Sequence, residues 1–197
     1  MIEKKVKEAN EKKAFKTPSV SKSILFVKAG EKSRKADKSK KKEVILDKAN
    51  DWICKFDIGD GEEGNDYIFD QRVCVTDLKV DGYIVSHKAK ICIVTELTSP
   101  MEENLDKWHR IKTHKYQSNL VSDKYQLVFL INEVGARGWI PETVGRNWRK
   151  LGFTKKEVQK TNNDCMLMAQ RCSFIIFSQR FNKEFNPLRM TIGEEKR

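Results

Sequence analysis

The sequence predicts an α/β fold, an α+β sandwich in which helices cover a sheet, on three observations. Short apolar runs rich in β-branched residues begin abruptly at position 52. A long helical segment stands before the last of those runs, and two further helical patterns follow it. At 197 residues the chain is long enough for one domain with a real core, and a second full domain would not fit comfortably.

The strand segments are Trp52 to Ile58, Arg72 to Thr76, Asp81 to Val85, Ile91 to Leu97 and Tyr125 to Ile131. Between the fourth and fifth lies a helix expected from Met101 to about Ser122. Ser99 suits its N-cap, Pro100 the first helical position, and Glu102 stands three after the serine as a capping box requires. Two more helices are expected, near Pro141 to Lys150 and near Lys155 to Gln179. In the second of them, Met166, Leu167, Met168, Phe174, Ile175 and Ile176 are apolar at helical spacing and read as packing.

Three segments follow from composition: a basic, largely disordered tail over 1–42, a folded domain over 43–186 and a polar C-terminal tail over 187–197. Residues 1–50 hold 16 Lys and Arg against 7 Asp and Glu, so most of the formal net charge of +11 sits there. The tail is too poor in large apolar side chains to offset the entropy of ordering. Within it Lys38, Lys40, Lys41 and Lys42 form a basic run suited to a nuclear address or to phosphate contact. Five cysteines without close pairing read as reduced, buried thiols of an intracellular protein. The longest apolar runs fall short of the ~20 residues that span a bilayer, which predicts a soluble chain.

The segments Asp81 to Val85 and Ile91 to Glu96 are joined by a short polar connection, which predicts an antiparallel hairpin. With the turn centred between Lys88 and Ala89, Asp81 faces Glu96. Their Cβ atoms would then lie roughly 5 Å apart on one side of the sheet, close enough to converge on a single cation. Both faces of the second strand are apolar, so it should be central, and a carboxylate continuing its face should not be fully solvated. On the following helix Leu105, Trp108, Lys112, Lys115, Tyr116, Asn119 and Leu120 share one arc, which places two lysines on an apolar face. Acidic ligands for Mg²⁺ with a lysine to orient the nucleophile or offset developing charge are the parts of metal-assisted phosphodiester cleavage. His109 and His114 are alternative general bases but read as ordinary surface residues. Glu133 and Arg137 flank Gly135 and read as an ion pair shaping a turn. Arg146, Trp148, Arg149 and Lys150 form a basic and aromatic cluster that could follow a phosphate backbone, although Trp148 equally suits a core.

The run Thr95-Glu96-Leu97-Thr98-Ser99-Pro100-Met101-Glu102-Glu103-Asn104, continued through Lys112 and Lys115-Tyr116, resembles the restriction-like endonuclease domain of non-LTR retrotransposons. It looks especially like the version downstream of reverse transcriptase in animal elements. Ala49 to Trp52, Glu133 to Gly138, Lys150 to Phe153 and Cys172 to Phe174 extend the resemblance over most of the chain from about Phe26. It implies a PD-(D/E)XK core with a mixed sheet flanked by helices, and an enzyme that nicks genomic DNA to prime reverse transcription. It further implies Asp81, Glu96, Lys112, Lys115 and Tyr116 as catalytic residues. Asp81, Glu96 and Leu97 would be the metal site, with Mg²⁺ or alternatively Mn²⁺ as cofactor. DNA is the implied partner, bound by Lys38, Lys40, Lys41, Lys42, Arg137, Arg146 and Arg149, with RNA or a reverse transcriptase as further partners in a larger element. A non-catalytic DNA-binding module on the same fold is the alternative. The chain departs from the pattern at Val80, where the family has a proline before its first acid. Thr98 stands where many restriction enzymes carry the active lysine, so in this branch the lysine is expected on the helix.

Overall fold

The structure, a computed structural model, describes residues 1–12, 44–57 and 68–184. A four-stranded mixed sheet has the order β1-β2-β3-β4: Trp52–Phe56, Gly82–Ser86, Ile91–Thr98 and Gln126–Glu133. The first three strands run antiparallel to one another and β4 runs parallel to β3. A parallel neighbour requires a crossover, and α2 (Leu105–Asn119) supplies it. The other helices are α1 (Ile2–Glu11), α3 (Glu142–Lys150) and α4 (Lys155–Gln179). Among the described residues no helix is long and apolar enough to cross a membrane.

The two central strands are apolar on both faces because both faces are covered. All five residues of β2 and the first six of β3 are buried. On one face Ile84, Ile91, Ile93 and Leu130 pack with Val6 and Ala9 of α1, Val144 and Trp148 of α3, and Leu151 and Phe153. On the other, Tyr83, Val85, Cys92, Val94 and Ile131 pack with Tyr116 of α2, Leu120, and Phe69, Val73 and Val80 of the segment before β2. Burial pushes the Cys92 thiol up to about 12. The other four cysteines are half-buried, more open than the sequence reading has them, and all five are free thiols.

The expected hairpin forms with the expected register. Gly82 pairs with Thr95, Ile84 with Ile93 and Ser86 with Ile91. Asp51, just before β1, pins the turn by accepting from the Ser86 hydroxyl and, at 2.9 Å, from the Lys88 amide. The Ser86 hydroxyl in turn accepts from the Ala89 amide at 3.0 Å. Gly82 is dictated by a close approach: a Cβ there would meet the Phe56 ring at 2.3 Å.

Several elements depart from the sequence reading. Ile2–Glu11, assigned to the disordered tail, forms a helix, because Val6 and Ala9 recur at helical spacing and find an apolar surface to cover. Asn10 fastens it to the Trp52 backbone by a reciprocal pair of 2.8 Å hydrogen bonds, and Lys5 reaches Glu157 of α4 at 2.8 Å. The Lys38 to Lys42 run and residues 187–197 lie outside the described residues. Arg72–Thr76 is a turn followed by irregular backbone, not a strand, held by Asp70 and by the Ser122 hydroxyl. The helix expected from Pro100 begins as a 3-10 turn at Glu102–Asn104, and the α-helix proper starts at Leu105. Glu102 does not close a capping box there, because Arg137 takes its carboxylate. Helix α4 starts at a capping box of Thr154 and Glu157, and of the residues read as packing Leu167, Met168, Phe174 and Ile176 are exposed while Met166 and Ile175 are half-buried.

If Asp51 holds the turn that sets the register, Asp51→Ala should lower stability by about 1–3 kcal/mol, the cost of leaving buried polar partners unmade. Asp51→Asn should recover part of it. Urea denaturation measures both, and an unchanged midpoint for Asp51→Ala would show that the register is set elsewhere.

Candidate active site

The hairpin register carries Asp81 to the mouth of β2, directly across from the far half of β3. The pairing stops at Gly82 and Thr95, so Asp81 and Glu96 are the next opposed positions beyond it. They are joined at the backbone. The Asp81 carboxylate accepts from the Leu97 amide at 2.7 Å, and the Asp81 amide lies 3.4 Å from Glu96 Oε2. The Asp81 carbonyl accepts from the Asp57 amide at 2.9 Å, which ties β1 to the same corner.

Glu96 continues the inward face of β3 beyond Cys92 and Val94 and is 3% exposed. A carboxylate so placed needs partners, since an isolated charge in a low-dielectric interior is strongly disfavoured. Helix α2 supplies both. Lys112 Nζ donates to Oε1 as an ion pair, and Tyr116, itself fully buried, donates its hydroxyl to Oε2 at 2.7 Å. Residues 112 and 116 stand one turn apart on the face that packs on the sheet, so one helix side delivers both donors.

Asp81 sits at the rim. Desolvation raises its carboxyl pKa first of all, and the like charges of Glu96 and Asp57 add to that. The Leu97 hydrogen bond and Lys112 oppose it without cancelling it. Lys115 lies 5.1 Å over the Tyr116 ring, beside the Glu96 group and not bonded to it. Leu97 carries a side chain that is 56% exposed, and its only possible ligand atom is the backbone carbonyl. Among the described residues no three His, Cys, Asp or Glu side chains gather as a metal group, so an ion here would rest on two carboxylates and backbone. That donor set is all hard oxygen, which suits Mg²⁺ or Mn²⁺.

Asp81, Glu96, Lys112 and Tyr116 are therefore brought together as the hairpin and helix-wheel arguments expect. Other expectations change. Trp108 is 40% exposed and lies outside the buried face of α2. Glu133 and Arg137 do not pair. Arg137 binds Glu102 through its Nε and its backbone amide, each at 2.7 Å, and Gly135 makes room, since a Cβ there would meet Glu102 Oε1 at 2.5 Å. Arg146 and Arg149 are exposed on α3, on the sheet face opposite the acids, while Trp148 joins the core.

One pair was missed. His109 Nδ1 donates to Glu133 Oε1 at 2.6 Å, with Glu133 2% exposed and the imidazole 42% exposed. His109 is thus no ordinary surface residue, whereas His114 is exposed as expected. The available clue was spacing: His109 precedes Lys112 by three residues, and Glu133 ends a strand parallel to the one that carries Glu96.

Compared with models of protein families, with curated proteins and with solved structures, the chain finds no match in any of the three.

Removing Lys112 should strand the buried Glu96 charge, so Lys112→Met should cost about 3 kcal/mol of stability. Adding Glu96→Gln, which can still accept from Tyr116, should restore most of that loss. Thermal and urea unfolding of the double-mutant cycle measure the coupling; additive effects would deny the ion pair. Asp81→Asn should behave oppositely, because a carboxyl whose folded pKa is raised loses stability as it ionises. The variant should match or exceed wild type at neutral pH. The difference should close as the pH falls through the usual carboxylate range, where both forms are uncharged. A variant less stable than wild type at pH 7 would contradict this.

Proposed function

We propose that the chain is a Mg²⁺-dependent DNA endonuclease that nicks its target by phosphodiester hydrolysis, on a restriction-endonuclease-like core of retrotransposon origin. The observation that carries this reading is the convergence of Asp81, Glu96, Lys112 and Tyr116 where the central strand meets α2. Those are the residues the motif resemblance singles out, and the mixed sheet between helices is the architecture it implies.

Asp81 and Glu96, with the Leu97 carbonyl, would hold the ion, Mn²⁺ being the alternative. When bound, Mg²⁺ lowers the pKa of a coordinated water and stabilises negative charge on the phosphate under attack. The protein's own groups do the rest. Lys112 pairs with the buried Glu96 carboxylate and brings a positive charge beside the phosphate. Tyr116 holds the Glu96 carboxylate in one orientation, and Lys115, one helical step before it, is within the same patch for contact with a neighbouring phosphate. Arg146 and Arg149 on α3, Arg137 in the loop after β4, and the Lys38, Lys40, Lys41 and Lys42 run would track the DNA backbone. Nuclear residence, and RNA or a reverse transcriptase as further partners, belong to the same proposal.

A second reading has one specific observation in its favour. Both Glu96 oxygens are already engaged by Lys112 and Tyr116, so the network is complete without a cation, as a non-catalytic DNA-binding module on this fold would require.

Supercoiled plasmid separates the two. Nicking should appear with Mg²⁺, vanish in EDTA and fall at least ~10²-fold in Asp81→Asn, the scale expected for a lost catalytic group. DNA retention without nicking, at any Mg²⁺ or Mn²⁺ concentration, would favour the binding module.

A further inference from the structure

Glu133 is a buried carboxylate that the reading above does not use, and it holds a partly exposed imidazole. It stands at the end of β4 opposite Thr98, two residues beyond the position that pairs with Glu96. Ile131 belongs to the core under α2, so Glu133, two residues on, shares that face of the sheet. His109 therefore reaches down from α2 to one strand end as Lys112 reaches to the next. The two helix residues are i and i+3 neighbours, with Cβ atoms roughly 5–6 Å apart.

We propose that His109 is the proton donor to the leaving 3′ oxygen in strand cleavage, oriented for that role by Glu133. The proposal rests on the nuclease reading. With Nδ1 committed to Glu133, the ring's proton-transfer position is Nε2, on a side chain open enough for a DNA strand to touch. A buried carboxylate that fixes one imidazole nitrogen so that the other can move a proton is a recurrent catalytic arrangement.

In hydrolysis the attacking and leaving oxygens lie roughly in line on opposite sides of phosphorus. A group serving the leaving oxygen must then be displaced from the acids, and the rise of about 4.5 Å over three helical residues gives that displacement. Lys112 is committed to Glu96, which leaves the leaving side to His109. The bond from water oxygen to phosphorus forms as the phosphorus–O3′ bond breaks. The Nε2 proton of the imidazolium passes to O3′, the water proton is lost to solvent, and the neutral imidazole regains its proton from solvent. The products are a 3′ hydroxyl and a 5′ phosphate.

The test compares an ordinary oligonucleotide duplex with one whose single cleavable linkage carries sulfur at the 3′ bridging position, since a thiolate departs without a proton. His109→Ala should slow single-turnover cleavage of the ordinary duplex by ~10²-fold or more and cleave the sulfur duplex within about threefold of wild type. Glu133→Gln should be slowed less and rescued in the same way, which a merely structural role would not produce. Binding of the duplex in EDTA, read by fluorescence anisotropy, should be unchanged in His109→Ala. Equal slowing of both duplexes, or no slowing of either, would overturn the assignment of His109 while leaving the nuclease reading intact. A wild-type protein that cleaves neither duplex would overturn both.

Discussion

One buried carboxylate organises this molecule. Glu96 stands on the inward face of a strand whose other inward residues are apolar, and it is tolerable there only because α2 brings Lys112 and Tyr116 onto its two oxygens. That requirement fixes the rotation of α2 over the sheet. The same rotation sets His109 above Glu133, so the helix is keyed to the ends of two adjacent parallel strands by three charged or polar contacts. Replacing the Glu96 group with apolar side chains of similar volume would pack as well or better, so its presence is costly unless it serves chemistry.

The division of the sheet into two unlike faces follows from the same arrangement. The face under α2 carries the acids and their partners, while the face under α1 and α3 is mostly aliphatic and aromatic, with the uncharged pair Asn132 and Asn147 buried in it. Arg146 and Arg149 belong to the second face's helical layer, so a DNA duplex touching both them and Asp81 must wrap around the end of the sheet. Arg137, tied to Glu102 ahead of α2, sits between these regions and links the loop after β4 to the helix that carries Lys112.

What was legible in the sequence was periodic or local. The hairpin register could be read from a polar turn between apolar strands, and α4 from apolar residues at helical spacing, both through patterns among near neighbours. The meeting of Lys112 and Tyr116 on one helix face followed from 100° geometry. What failed was set by distant residues. Glu102 has the spacing of a capping box but is claimed by Arg137, 35 residues away. Helix α1 reads as part of a solvated tail because its two buried residues at helical spacing are too few to stabilise it alone, and the surface they cover around Trp52 lies about 40 residues on. The pairing of His109 with Glu133 needed the parallel alignment of β3 and β4, and that alignment is created by the crossover itself. Trp108 shares the arc of Lys112 and is nevertheless 40% exposed, which helix geometry alone does not set.

Whether the keyed carboxylates form a cation site is decided most directly by anomalous diffraction from crystals of the protein grown with a DNA duplex and Mn²⁺. A single strong manganese peak bridging the Asp81 and Glu96 carboxylates, with the Leu97 carbonyl in reach and Lys112 retained on one Glu96 oxygen, is the expected result. DNA bound with no peak at that corner, and with Lys112 and Tyr116 still closing both Glu96 oxygens, would contradict it.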